Sequence, residues 1–345
     1  MNTQFAFDGE SLITPEQIAA QTETAKQRPA GAAIGEGEAE LMLVLQRAQQ
    51  RFENGAAPAG VLHDVFLQLN RLRRTLPADV WRDLVPLAQA HPVATFIHED
   101  PFTRWSFEKP RGYSGDAGLL DFIYGHETAA PAIAETSANG RTLYDYTSSA
   151  PAAAAVRERR ELLARHVDSI ASSRETPIEV LTIAAGHLRE AELSQALAKG
   201  RIERWVALDQ DPHSVGTMTR DHAGTVIDPM NGSVKGLLTD AYPLGTFDFV
   251  YAAGLYDYLP EAVAVRLTRK CLSLLKPGGT FLFANFFDDI RDDGFMETFM
   301  NWPLILRSEA EMWGIVNRSV DRNQVDSRVE FGANRNILYG IIETR

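Results

Sequence analysis

The spacing of apolar positions changes character near residue 175. Before it, the recurrence is helical. Leu62, Val65, Phe66, Leu69 and Leu72 fall on one face of a helix. Val80, Trp81, Leu84 and Leu87 predict a second, shorter helix. Ser149 and Pro151 open a long one, with Leu162, Leu163, His166, Val167 and Ile170 along one side. Further upstream, Thr14, Pro15 and Gln17 form an N-cap, a first-turn proline and the third position of a capping box. The Gly- and Ala-rich stretch 29–39 predicts a loop. After Pro177, short apolar runs alternate with helical stretches. Strands are expected at 178–184, 204–208, 223–228, 247–252 and 280–286, with helices over 188–199 and 261–275. Lys276-Pro277-Gly278-Gly279 predicts a turn into the fifth strand. Alternating strands and helices imply right-handed crossovers and a parallel sheet covered on both faces. The end breaks this rhythm: 328–331 and 336–343 predict an antiparallel hairpin at the sheet edge.

Composition narrows the function classes. The formal net charge is −12, and neither half of the chain is basic, which argues against nucleic acid as partner. The single Cys271 cannot form an internal disulfide or build a Cys-based zinc site. In its amphipathic helix it reads as a small buried apolar residue, and His166 likewise as structural. No basic-then-apolar leader and no apolar run of membrane-spanning length is present, so the expected setting is cytoplasmic, without a membrane partner. The acidic run 288–293 (DDIRDD) reads as a solvated loop rather than a metal site, and no metal is expected. Oligomeric state is left open.

In open parallel sheets ligands bind beyond the carboxyl ends of the strands, so the segments that follow them carry the chemistry. The first strand leads into Ala184-Ala185-Gly186-His187, small residues that let backbone approach a ligand. The second leads into Asp209-Gln210-Asp211, an acidic position suited to a ribose diol. Asn231-Gly232-Ser233 follows the third strand and Ala253-Gly254 the fourth. With LLKPGGTFLFANFF at 274–287, these segments resemble the class I S-adenosylmethionine-dependent methyltransferases over about residues 175–345. The resemblance implies an α/β fold with a Rossmann-like seven-stranded, mostly parallel sheet and an antiparallel C-terminal strand. It implies S-adenosylmethionine as the bound cofactor: Asp209 on the ribose, Ala185 and Gly186 facing the methionine part, residues near 232–234 meeting adenine. Lys109, Arg111, Ala184, Gln210, Asp211, Asn231, Gly232, Ser233, Ala253 and Gly254 complete the expected cofactor-binding set. The family's first loop follows an acid-x-Gly-x-Gly-x-Gly pattern. Here Thr182 stands at the acidic position and only Gly186 remains. Pyrophosphate needs the full glycine set, so the loop is a poor dinucleotide site, whereas S-adenosylmethionine has no phosphate.

The run at 107–125, FEKPRGYSGDAGLLDFIYG, is similar to a bacterial branch of that superfamily with an N-terminal helical domain. The branch includes methyltransferases of 3-hydroxy fatty acid methyl ester biosynthesis and enzymes that cyclise S-adenosylmethionine to azetidine-2-carboxylate. Residues 1–174 are accordingly expected as a helical substrate or cap domain and 175–345 as the cofactor-binding domain. Lys109 and Arg111 suit a carboxylate, or form a surface ion-pair cluster with Asp116. Tyr113 suits a sulfonium against its ring face. Tyr113, Tyr146 and His187 are the expected catalytic residues. Against this, Tyr144 and Tyr146 read equally as core residues with wet hydroxyls, His187 as a packing or capping group, and Asp211 as a helix cap. Three functions stay open: methyl transfer to a hydroxyl, carboxylate or amine of a small molecule in secondary or signal metabolism; cyclisation of S-adenosylmethionine itself, releasing methylthioadenosine; and a non-catalytic binding module.

Overall fold

The computed structural model describes residues 31–321 and 323–345, with side chains from residue 35 onward. The N-cap expected at Thr14 lies outside the described residues. In chain order the helices are α1 (Gly31–Glu53), α2 (Pro58–Thr75), α3 (Ala78–Ala90), α4 (Ala94–Ile97), α5 (Pro101–Glu108), α6 (Ala117–Tyr124), α7 (Ala130–Glu135), α8 (Ala138–Ser148) and α9 (Pro151–Ser173). The stretch 29–39, expected as a loop, is helical from Gly31. Alanines and glutamates there favour helix enough to offset its glycines. The chain divides into two compact units, a helical unit of residues 31–156 with Asp289–Leu304, and a sheet unit of Arg157–Asp288 with Ile305–Arg345.

The sheet unit holds β1 (Ile178–Ile183), α10 (Gln195–Ala198), β2 (Ile202–Asp209), α11 (Pro212–Asp221), β3 (Ile227–Asn231), α12 (Val234–Leu238), β4 (Phe247–Ala252), α13 (Glu261–Ser273) and β5 (Leu275–Phe286). After α14 (Asp293–Glu297), which belongs to the helical unit, follow α15 (Glu309–Ser319), β6 (Val325–Phe331) and β7 (Ile337–Thr344). Seven strands form one sheet in the order β3-β2-β1-β4-β5-β7-β6. β1 to β5 pair in parallel, and β7 runs antiparallel to both β5 and β6. This is the expected Rossmann-like architecture with its antiparallel last strand.

Side chains alternate across the strands, so β1 sends Leu181 and Ile183 to one face and Val180 and Thr182 to the other. The first pair joins a core with Val250, Phe281, Phe283, Cys271 of α13 and Ile315 of α15. On the other face, His166 of α9 stacks on Phe249 at 6.1 Å between ring centroids. Outer strand β6 alternates exposed Asp326, Arg328 and Glu330 with half-buried residues, which discourages further strand pairing. Gly340 in β7 lies under Phe283, and a Cβ there would stand 2.3 Å from the ring.

Three boundaries differ from expectation. The third strand starts at Ile227 rather than 223, because Thr225 and its neighbours make a turn bonded to the His222 carbonyl. The stretch 188–199, expected as a helix, contains only a 3₁₀ turn at Ala191–Leu193 and the four-residue α10. Ser194 caps α10, and Asp168 of α9 accepts from Ser194 Oγ and the Gln195 and Ala196 amides, so a short helix starts at Gln195 in place of one running through from 188. Finally, the turn at 276–279 sits inside β5 as a bulge, where the β4–β5 register jumps and Gly278 takes φ +70°.

In the helical unit, the Leu62–Leu72 face of α2 is buried as expected. Phe66 stacks on Phe295 of α14 at 4.0 Å. Arg73 bonds Glu297 and pairs with Asp293, while Asn70 donates to Asp293. Asp100, fully buried, caps α5 and accepts from the Phe102 and Thr103 amides and the Thr103 and Thr147 hydroxyls.

Candidate functional site

In the sheet unit the loops after β1, β2 and β3 converge on Asp209, the last residue of β2. Its Oδ2 accepts from the Gly186 amide at 2.7 Å, and its Oδ1 from the Asp211 amide at 2.8 Å. Its carbonyl accepts from the Gly232 amide at 2.9 Å. Three post-strand segments singled out by sequence thus meet at one residue, 6% exposed, two of them at its carboxylate. Backbone donors orient such a group more rigidly than side chains would.

The first loop keeps the shape of the glycine pattern with only one of its glycines. Ala184, Gly186 and Leu188 have φ of +56°, +59° and +53°, at alternate positions counted from Thr182. For a non-glycine residue this left-handed backbone costs about 1–2 kcal/mol. Two such residues in one strand-end loop place strain where function is commonly found. Ala185 donates its amide to the Leu208 carbonyl at 3.1 Å, which seats the loop on β2.

Thr182, at the family's acidic position, accepts from the Trp205 indole at 2.8 Å. The Tyr251 hydroxyl donates to Glu190 Oε1 at 2.6 Å. Both Tyr251 and Glu190 are buried, and desolvation pushes both above their ordinary pKa. The bond from Tyr251 and the nearby Arg159 and Arg160 act against that rise at Glu190. Arg159 Nη1 also donates to the Ala253 carbonyl at 2.7 Å, tying the loop after β4 to α9. Glu190, Tyr251 and Arg159 form a buried polar layer under the strand ends. Sequence reading missed them because each looks ordinary alone: an acid in an expected helix, a tyrosine in a buried strand, an arginine on a long helix.

Other sheet-unit candidates have local roles. Asp211 caps α11, accepting from the His213 amide and the Ser214 hydroxyl. Ser233 caps α12 and donates its own amide to the Tyr242 hydroxyl. Gly232 lies against Tyr242, and a Cβ there would come within 3.0 Å of the ring. Asn231 is exposed at the end of β3, and Gln210 is half-buried beyond β2. His187 is buried and its Nδ1 lies 3.4 Å from Arg189 Nη2, a guanidinium also bonded to Glu192 and Asp221. Since arginine only donates, Nδ1 is the acceptor there. Gly254 lies beside Arg159, whose Nη2 would be 3.8 Å from a Cβ placed there.

The remaining candidates lie in the helical unit. Lys109 ends α5 with φ +49°. Arg111 Nε stands 3.8 Å from Asp116 Oδ1, and Trp105 donates to the same carboxylate at 3.0 Å. Asp116 also caps α6. Tyr113 is half-buried between them in sequence. Tyr144 is buried and donates to the Phe122 carbonyl at 2.7 Å. Tyr146 Oη meets His63 Nδ1 at 3.0 Å. The acidic run departs from its expected solvation: Asp289 is exposed, but Asp292 and Asp293 are buried, because α14 carries them inward against α2 and the start of α9. Among the described residues, no group of three or more His, Cys, Asp or Glu is placed to hold a metal, and no helix is long and apolar enough to cross a membrane.

No family model matches the chain, and no curated protein matches it. Solved structures do. The chain is similar to a possible exported protein from Bordetella parapertussis, at 20% identity and a TM-score of 0.56 over 76% of this chain and 93% of that one. At that identity the likeness establishes a shared fold. Similar structures also include the N-methyltransferase NodS from Bradyrhizobium japonicum WM9 with S-adenosyl-L-homocysteine (15% identity, TM-score 0.40, 57% of this chain and 89% of that one). Magnesium protoporphyrin IX methyltransferase ChlM from Synechocystis PCC 6803, with bound S-adenosylmethionine, is another (10%, 0.39, 56% and 84%).

Proposed function

We propose that the sheet unit binds S-adenosylmethionine at the carboxyl ends of β1, β2 and β4, and that the protein transfers its methyl group to a hydroxyl, carboxylate or amine of a small molecule. The observation that carries this reading is Asp209, a carboxylate fixed by the Gly186 and Asp211 amides at the end of β2. Such a group suits a vicinal diol, which offers two O–H donors at matching separation. Ala184, Ala185 and Gly186 keep the approach to that carboxylate slim, since none carries a side chain larger than a methyl. The bound group would supply a sulfonium, whose methyl carbon already has a good leaving group. The protein's share is then to position the acceptor in line and to exclude water.

Purified protein titrated calorimetrically with S-adenosylhomocysteine tests the binding. A saturable isotherm is expected, and its absence would favour a non-catalytic module. Incubation with S-adenosylmethionine alone, read by mass spectrometry, tests the reaction class. The donor is expected to persist until an acceptor is added. Methylthioadenosine and azetidine-2-carboxylate formed without acceptor would replace transfer by cyclisation.

A further inference from the structure

Among the described residues, the buried carboxyls differ in how they are met. Asp100 has its cap amides and two hydroxyls, Asp116 has Arg111 and Trp105, and Asp293 has Arg73. Asp257 has the Phe286 amide, with Arg159 and Arg307 close by. Asp292, 3% exposed, accepts the Ala152 amide at the start of α9, and among the described residues no ion pair reaches it. One amide and the through-space pull of Arg291 compensate a buried charge only in part, so such a group invites a further cation.

Asp292 lines a pocket inside the helical unit, about 540 Å³ in volume. That lies within the roughly 300–1,000 Å³ of small-molecule sites. Its walls include Phe66, Leu67, His63, Tyr146 and Arg291. Phe66 is held between Phe295, stacked at 4.0 Å, and Tyr146, edge-on at 5.4 Å. These rings therefore form a rigid aromatic wall. Leu67 is 45% exposed, an apolar side chain at the pocket's rim. Burial, together with Asp292 and Asp64, pushes the Tyr146 hydroxyl above its ordinary pKa, so it stays protonated and bonds His63.

We propose that this pocket binds a small organic amine, its ammonium held by the Asp292 carboxylate and the Tyr146 ring and its apolar body lying against Phe66 and Leu67. A carboxylate beside aromatic rings suits an ammonium, because the charge and the ring quadrupoles attract the same sign. Burial and the neighbouring Asp293 raise the Asp292 pKa to about 6, opposed by the Ala152 amide and Arg291, so the acid is ionised above neutrality while a simple amine is still protonated. Arg291 is the one cationic wall residue, and it makes an anion the competing occupant.

Ligand-observed NMR and calorimetry on the full chain near pH 8 test this with three probes of one shape: phenethylamine, phenethyl alcohol and 3-phenylpropionate. The amine is expected to saturate below about 10 mM and to bind at least about tenfold more tightly than the alcohol. Asp292→Asn keeps an acceptor for the Ala152 amide and should bring the amine down to the alcohol's affinity. Leu67→Trp, at an exposed rim position, should weaken both by filling the pocket, and it carries the test if Asp292→Asn fails to fold. Equal binding of amine and alcohol would overturn the proposal. So would preference for the carboxylate, no saturable amine binding, or amine binding unchanged in Leu67→Trp. The S-adenosylhomocysteine titration is a separate measurement, so failure here is distinguishable from failure of the sheet-unit reading.

Discussion

Asp209→Asn puts the cofactor reading at most risk for the least change in shape. The carboxylate accepts one backbone amide on each oxygen, Gly186 at 2.7 Å and Asp211 at 2.8 Å. An asparagine has one oxygen and one NH₂. Whichever way the amide turns, its NH₂ faces a backbone N–H, and one bond becomes a donor–donor contact. Hydrogen bonds to charged groups contribute about 1.5–3 kcal/mol each. Losing one and weakening the other should cost the sheet unit about 2–4 kcal/mol of stability. The ribose diol loses its charged acceptor as well, about 2–3 kcal/mol, or roughly 30- to 150-fold in Kd. Calorimetric titration with S-adenosylhomocysteine, alongside thermal unfolding, reads both effects. Asp211→Asn is the control: asparagine also caps helices well, so α11 and ligand affinity should persist. The reasoning fails if Asp209→Asn folds like the parent and binds within about threefold of it.

Three further outcomes are expected. At Asp292, burial raises the folded pKa from 3.8 to about 6, so the folded state holds its proton more tightly than the unfolded one, and the parent loses stability as pH rises through that window. Asp292→Asn carries no such loss; its unfolding free energy relative to the parent, read in denaturant, should rise between pH 4.5 and 7.5 by on the order of 1–3 kcal/mol, and an equal difference at both ends would contradict the burial argument. Gly340→Ala drives a Cβ to 2.3 Å from the Phe283 ring and should cost about 1–3 kcal/mol in denaturant unfolding, with much of the loss recovered when Phe283→Leu is added. Ala184→Gly relieves a left-handed residue at an exposed position, and its unfolding free energy in denaturant should rise, by up to about 1 kcal/mol after the glycine entropy is counted.

Periodicity made the fold legible because strands buried on both faces must be largely apolar, and β1, β4, the second half of β2 and the second half of β5 are. It failed where tertiary bonds override local preference. Residues 188–199 look like one helix, yet Asp168 on a distant helix takes the Ser194 hydroxyl and the Gln195 and Ala196 amides, so that only a short helix starts at Gln195. The same contrast divides the candidate site. Asp209 was readable because its place, at the end of an apolar strand, is itself a sequence property. Glu190 and Tyr251 were not, because what sets them apart is a 2.6 Å bond between residues 61 positions apart.

Sequence alone determined the element order, the reversal at the C-terminal hairpin and the segments gathered at the strand ends, since these follow from local pattern and strand connectivity. Tertiary structure decided two things. It showed that Ala184 and Leu188 adopt the left-handed backbone the pattern assigns to glycine, a conformation imposed by seating the loop on β2. It also turned half of an acidic run inward, so that Asp292 is a buried carboxylate in an aromatic-walled pocket. Sequence records how many charges stand together; only packing decides which of them lose their water.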